Sequence, residues 1–290
     1  MGFDSVAISV VIPVFEGGIN LSLALASVAA QTLAPLEILV VDDASSAPPH
    51  EIVARAGLPA RLLTSPQNNG PAAARNLGVR HARGRFIAFL DADDLWLPGK
   101  LAAQAAAALA RPDPDDVVCV AETWELWPQG ERRRPRWRPE ESALGDFFFL
   151  RSGVMQTSSM FVSARLAQAF PFDARLRQYE DILLLLALER AGADFVFQDE
   201  KLFVWRRGHG GRQLSRRLHY ASGLAFGEAA RGLLSARAAA AFRARHFGPA
   251  LLRRDPLAFA RAALKAWRLG AVDARGLAGA VRRSLSVELY

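Results

Sequence analysis

The stretch that most constrains this chain is Gly84-Arg85-Phe86-Ile87-Ala88-Phe89-Leu90-Asp91-Ala92-Asp93-Asp94. Phe86 to Leu90 is a short apolar, β-favouring run behind a glycine, which predicts a strand buried on both faces. Three carboxylates follow directly, and the carboxyl end of a strand is where open α/β sheets place their ligand crevice. Strand alternation puts Asp91 and Asp93 on one face and turns Ala92 away. Two carboxylates on one rim suit a hard divalent cation, Mg²⁺ or Mn²⁺, which keeps several waters and takes its other ligands from a substrate diphosphate. The competing reading is a helix N-cap ahead of Pro98, a task that needs only one aspartate.

Residues 8–110 alternate strand and helix signals, which predicts a mostly parallel sheet with helices on both faces. The expected strands are 8–13, 37–41, 60–64 and 86–90, and the expected helices 20–31, 49–56, 71–82 and 98–110. The first, second and fourth strands end in residues able to face a ligand: Pro13-Val14-Phe15-Glu16, Asp42-Asp43-Ala44-Ser45-Ser46 and Asp91 to Asp94. No G-x-G-x-x-G follows the first strand, so the dinucleotide-binding fingerprint is missing. In Asn68 to Asn76, Gly70 supplies the turn and Pro71 suits a first helical position. Arg75 and Asn76 then sit near the positive end of that helix, where anionic ligands are favoured; the alternative is an ordinary helix start carrying a solvated arginine.

Beyond Ala110 the composition changes. Residues 111–116 form a linker, and 128–139 a basic loop with proline and tryptophan, suited to a substrate lid or acceptor edge. Residues 156–162 read as a polar approach into a strand. Glu180-Asp181 opens an apolar helix over 182–191, and its acids serve either as helix N-terminal charges or as a general base with a raised pKa. Residues 201–207 read as a strand leading into Gly208-His209-Gly210-Gly211-Arg212, a flexible basic loop able to wrap a diphosphate.

The charge is segregated. Residues 216–290 carry 14 Lys+Arg against 4 Asp+Glu, a net of +10, whereas the other 215 residues carry 22 against 25, a net of −3. The basic character thus belongs to a helical tail, not to the body. The single cysteine, Cys119, excludes a disulfide framework and points to a reducing compartment. Neither a signal peptide nor a transmembrane helix is expected.

Five segments in order resemble family 2 glycosyltransferases of the GT-A fold: Val10 to Phe15, Val40 to Ser45, Gly70 to Asn76 with Gly78, Asp91-Ala92-Asp93, and Glu180-Asp181. The resemblance covers roughly 200 residues and leaves the last 75 unexplained. It implies an α/β GT-A fold with a Rossmann-like sheet, a donor half over 1–110 and an acceptor half over 111–215; the basic helical extension over 216–290, read from its composition, stands outside it. It also implies a nucleotide-diphosphate sugar donor (UDP favoured over GDP or dTDP), a divalent metal and single-displacement inversion. By position, Pro13 and Phe15 would flank the nucleobase and Asp43 would hydrogen-bond it. Arg75 would stand near the nucleotide. Asp91 would contact ribose or a metal-bound water, and Asp93 would be the main metal ligand. Asp181 would be the base that deprotonates the acceptor, with Glu180 orienting it. Arg207 and His209 match the family's basic loop over the diphosphate, although Trp205-Arg206-Arg207-Gly208-His209 is one residue longer than the usual aromatic-Arg-x-His order.

The acceptor implied is a saccharide or lipid-linked hydroxyl, with the protein in the cytoplasm or on the inner leaflet. For the tail, an anionic membrane surface competes with a packing appendix or a homodimer contact. Nucleic-acid binding is not expected, because the tail carries no reader motif. Rival functions are a non-catalytic partner or carbohydrate-binding protein of the same fold, against which the complete acidic sets argue, and a nucleotidyltransferase. The latter expects a basic Gly-rich loop after the first strand, and Phe15-Glu16-Gly17-Gly18 has no base.

Overall fold

The computed structural model describes residues 6–127, 130–132, 142–207 and 219–286. The alternation of the first half appears as β1 (Ile8–Val14), α1 (Gly18–Ala29), β2 (Glu37–Asp42), α2 (His50–Arg55), β3 (Ala60–Thr64), α3 (Pro71–His81) and β4 (Phe86–Phe89). The four strands pair in parallel in the order β3-β2-β1-β4, with Val10 opposite Ile38 on one side and Ala88 on the other. The near-continuous apolar sequences of β1, β2 and β4 follow from burial on both faces, whereas the edge strand β3 is only partly buried. Ile8, Val10 and Ile12 pack with Leu21, Ala24, Leu25 and Val28 of α1 and with Leu101, Ala105 and Ala108 of α4 (Lys100–Leu109). Each such fully buried aliphatic side chain contributes about 1.5–3 kcal/mol. On the opposite face α3 lies close enough that a Cβ on Gly78 would sit 2.5 Å from Val11 Cγ1 and 3.3 Å from Val41 Cγ2. Only glycine permits that approach.

Helix α1 ends at Ala29, two residues earlier than its periodicity suggests, and Gln31 just beyond it links α1 to α4. Its Nε2 donates to the Leu97 carbonyl (2.8 Å) and its Oε1 accepts from the Leu101 N–H (3.0 Å), fixing the start of α4.

The remaining strands are β5 (Leu95–Trp96), β6 (Val117–Trp127), β7 (Gly130–Arg132), β8 (Met160–Ser163) and β9 (Asp194–Arg206), with α5 (Leu144–Phe149) and α6 (Ala164–Ala169) between β7 and β9. Among the described residues the sheet runs β3-β2-β1-β4-β8-β6-β9-β5, with β7 paired to β6. β8 is antiparallel to both β4 and β6, and β9 is parallel to β6. The parallel half is therefore the one built from strand–helix–strand repeats, and beyond β4 the sheet is mixed. The strand expected over 201–207 reaches back to Asp194.

The chain divides into two compact units. One holds β1–β9, α1–α4 and α6. The other holds α5 with α7 (Glu180–Arg190), α8 (Tyr220–Ala229), α9 (Ala236–Ala241), α10 (Gly248–Arg254), α11 (Pro256–Arg268) and α12 (Ala274–Ser286). Its centre is aromatic: Phe149 meets Phe226 at 5.7 Å and Phe242 at 5.2 Å between ring centroids, and Tyr179 lies 5.4 Å from each of the latter two. The helices that follow residue 216 thus share a core with α5 and α7.

Candidate functional site

The carboxyl ends of β2, β1 and β4 lie side by side, and the strand order reverses between β1 and β4, where an open α/β sheet leaves its crevice. At the end of β1, Pro13 is partly buried and Phe15 is 49% exposed. Glu16 takes a positive φ of 55°. Its N–H donates to Ser45 Oγ (2.8 Å), and its carboxylate accepts from the Ser46 N–H (2.8 Å) and Ser46 Oγ (3.1 Å). These bonds zip the loop after β1 to the loop after β2. Below them the buried Asp42 accepts from the Ser45 N–H and hydroxyl through Oδ1. Together they make a fixed floor beside the exposed Phe15 ring, of a kind on which a flat base can rest.

Asp43 is buried and accepts the Asn69 N–H (2.9 Å) on Oδ1 and the Gly70 N–H (2.7 Å) on Oδ2. It therefore clamps the turn that starts α3, where Gly70 holds a φ of 91°. Five residues on, Arg75 is buried and not the solvated arginine of the alternative reading. Its Nη2 lies 2.7 Å from Asp91 Oδ1, and its guanidinium sits 5.3 Å over the Phe172 ring. Asn76 exchanges two hydrogen bonds with the backbone of Phe172, at 2.8 and 2.9 Å. Helix α3 is thus tied to residue 172 by one residue while its neighbour points at the acidic turn.

That turn departs from the expectation of strand alternation. β4 ends at Phe89, and residues 91–94 form a turn closed by Asp94 N–H to the Asp91 carbonyl (3.0 Å). The outcome for side chains is similar: Ala92 packs against the core while Asp91 and Asp93 remain partly exposed. The third aspartate is the anchor. Asp94 is buried and accepts from Ser158 Oγ (2.6 Å) and from the Arg206 N–H (3.2 Å), and Ser158 Oγ also accepts the Asp91 N–H (3.0 Å). Burial pushes the Asp94 carboxyl well up, the charges of Asp93 and Asp91 push it further, and the bonds from Ser158 and Arg206 oppose both. Ser158 escaped the sequence reading, although its polar run leads into β8, the strand beside β4.

Through Asp94 the acidic turn is joined to the end of β9. There Arg206 Nη1 reaches Asn20 Oδ1 (3.1 Å), and Arg207 lies 4.0 Å from the Trp205 ring centroid and 4.7 Å from that of Trp127. His209 and the rest of the basic loop, residues 208–218, lie outside the described residues, as do 128–129 and 133–139 of the basic Pro/Trp loop. The structure therefore gathers Pro13, Phe15, Asp43, Arg75, Asp91, Asp93 and Arg207 in one unit. Glu180 and Asp181 belong to the other unit, at the first turn of α7. Glu180 is buried, Asp181 is partly exposed, and the preceding Tyr179 holds a φ of 70° with its ring in the aromatic core.

Among the described residues no group of three or more His, Cys, Asp or Glu makes a metal cluster. The donor set still fits a hard divalent ion, which asks for only one or two carboxylates when a diphosphate and water supply the rest. Asp91 and Asp93 are partly exposed and crowd enough negative charge together to disfavour ionisation of Asp94. Cations are favoured on that side, and Arg75 already lies 2.7 Å from Asp91. Cys119 is buried and its thiol is pushed up to about 12 by burial, so it is no nucleophile.

The sequence profile of Glycosyl transferase family 2 matches residues 9–168, more than half of the chain. A curated relative, the UDP-Glc:alpha-D-GlcNAc-diphosphoundecaprenol beta-1,3-glucosyltransferase WfgD of Escherichia coli, is 37% identical over 107 residues. That match covers 37% of this chain and 42% of the relative, so the chain spans under half of that protein. Among solved structures, residues 1–349 of S. aureus TarS in complex with UDP-GlcNAc superpose with a TM-score of 0.67 at 20% identity, covering 97% of this chain and 88% of that one. The mannosyltransferase PcManGT from Pyrobaculum calidifontis, in complex with GDP-Man and Mn²⁺, gives 0.58 at 19% identity, covering 96% and 79%. At such identities the likeness is one of fold.

Proposed function

The chain belongs to glycosyl transferase family 2, and we propose that it moves a sugar from a nucleoside-diphosphate sugar, a UDP-sugar, to a hydroxyl of a growing glycan or lipid-linked saccharide. The observation that carries the reading is the acidic turn Asp91–Asp94, pinned by Ser158 and faced by the buried Arg75 at the β1/β4 crevice. The substrates in the names of WfgD and of the TarS complex support a UDP donor, and that of WfgD a lipid-diphosphate acceptor.

In this reading Pro13 and Phe15 bracket the nucleobase, and Asp43, whose carboxylate has lone pairs beyond the two it uses, hydrogen-bonds it. Asp93, with Asp91, holds Mn²⁺ or Mg²⁺; when bound, the ion supplies positive charge to the diphosphate. Arg75 stands near the nucleotide and holds Asp91. Arg207 and His209 close on the diphosphate and stabilise the charge it gains as the sugar departs. Asp181 takes the proton of the acceptor hydroxyl on the opposite face of the sugar, and Glu180 orients the acceptor, so one displacement inverts the anomeric carbon. The donor half is 1–110, the acceptor half 111–215, and the basic extension 216–290 serves an anionic surface on the cytoplasmic side of the membrane or a homodimer.

UDP release from a panel of UDP-sugars, with lipid-diphosphate saccharides as acceptors, tests the activity. Asp181→Asn should lower turnover by about 10²–10⁴-fold while leaving UDP affinity unchanged. Wild-type turnover in that variant would remove Asp181 from the mechanism, and no turnover with any nucleotide sugar would remove the activity.

A further inference from the structure

Helices α11 and α12 each carry an unpartnered outer face of unusual composition. On α11, Leu257, Ala260, Leu264 and Trp267 recur at spacings of three and four, which places them in one stripe. Leu257 is 60%, Leu264 50% and Trp267 54% exposed. Arg261, Lys265 and Arg268 run alongside as a second exposed stripe. α12 repeats the arrangement with Ala278, Val281 and Leu285 (84% exposed) beside Arg275 and Arg282. Inward, both helices use small residues, Ala262 and Ala266 on α11 and Ala280 and Ser284 on α12, all buried. Phe259 and Leu277 also turn inward, whereas Leu257, Leu264, Trp267 and Leu285 leave half or more of their surface exposed.

None of Arg261, Lys265, Arg268, Arg275 and Arg282 has an ion-pair partner among the described residues. The two nearby acids, Asp255 and Asp273, accept the Ala258 and Gly276 N–H groups at helix starts. A second copy docked on this face would meet it with the same uncompensated bases. Anionic phospholipid headgroups neutralise them, while leucines and a tryptophan enter the headgroup–acyl boundary. No helix among the described residues is long and apolar enough to cross a membrane, so the geometry is that of helices lying on it.

We infer that the outer face of α11 is a docking surface for an anionic lipid bilayer, through Leu257, Leu264 and Trp267 flanked by Arg261, Lys265 and Arg268. This deepens the membrane part of the reading above and rests on it.

Flotation of the full chain with vesicles tests it. The chain should bind phosphatidylcholine–phosphatidylglycerol vesicles, be released by salt, and ignore pure phosphatidylcholine. Arg261→Gln, Lys265→Gln and Arg268→Gln together should weaken binding on the order of a hundredfold. Leu264→Ser with Trp267→Ser should weaken it about tenfold or more; the charge variant, whose three side chains are exposed, should leave thermal melting unchanged, and circular dichroism should show the Leu264/Trp267 variant still folded. Absence of flotation, equal binding to neutral vesicles, or variants that bind like the wild type would overturn the inference. So would a dimer, seen by sedimentation, that the Leu264/Trp267 variant dissolves without loss of vesicle binding. UDP binding measured on the same preparations separates this outcome from failure of the donor reading.

Discussion

Replacing Asp43 with alanine tests whether this carboxylate is chiefly a clamp. It is buried and accepts two backbone N–H groups, from Asn69 at 2.9 Å and Gly70 at 2.7 Å. Hydrogen bonds to a charged group are each worth about 1.5–3 kcal/mol, and a stranded buried donor costs about 1–3. Gly70 is buried and would keep the whole penalty, whereas the half-buried Asn69 can turn its N–H to water. The expected loss is therefore about 2–4 kcal/mol, or about 3–7 °C in melting temperature for a chain of this size. Asp43→Asn should fall between, because its carbonyl oxygen keeps one bond while its NH₂ faces the other donor. Urea unfolding of the three proteins gives the comparison. An alanine variant within about 0.5 kcal/mol of the wild type would refute the clamp and leave Asp43 to the ligand alone.

Three further perturbations follow from the same geometry. In Gly84→Ala the new Cβ would lie 2.5 Å from the Ser9 nitrogen and 2.9 Å from the Ala7 carbonyl oxygen, backbone atoms that cannot yield, so a loss of about 3 kcal/mol is expected; an unchanged melting curve would contradict it. Lys100 is wholly buried, bonded to Gln104 Oε1 (2.5 Å) and 4.2 Å over the Trp96 ring, and burial pulls its pKa from 10.5 to about 7. The unfolded chain then binds a proton between those values that the native state does not, so stability should rise with pH across the window and its deficit be complete below about 7. Lys100→Met should flatten that rise, and denaturation midpoints with the same pH dependence as the wild type would count against it. Ser158→Ala removes a donor to Asp94 and an acceptor for the Asp91 N–H and should cost about 1–3 kcal/mol, with weaker metal-dependent UDP binding; unchanged calorimetry would detach Ser158 from the site.

The parts legible in the sequence are those written in local chemistry. Phe86 to Leu90 followed by carboxylates declared a buried strand ending at a ligand edge, and Gly70-Pro71 declared a helix start. What could not be read depends on neighbours distant in sequence. Asp91 to Asp94 close a turn and do not continue the strand, because Ser158 and the Arg206 N–H take up Asp94 from 64 and 112 residues away. Arg75 has the composition of a solvated arginine until Phe172 and Asp91 surround it. The sheet beyond β4 is mixed because β8 enters antiparallel beside it, a pairing that no local pattern encodes. Phe226 and Phe242, beyond residue 216, share an aromatic core with Phe149 of α5 and with Tyr179 before α7, which only the fold reveals.

The central claim, a metal-assisted nucleoside-diphosphate site at the β1/β4 crevice, is tested most directly by calorimetry of UDP binding. The titrations compare wild type with Mn²⁺, wild type with EDTA, and Asp93→Ala with Mn²⁺. Binding is expected in the first alone, with Asp93→Ala still folded. Equal binding in all three would contradict the role of Asp93 and the metal, and failure of UDP and the other nucleoside diphosphates in every titration would contradict the donor site itself.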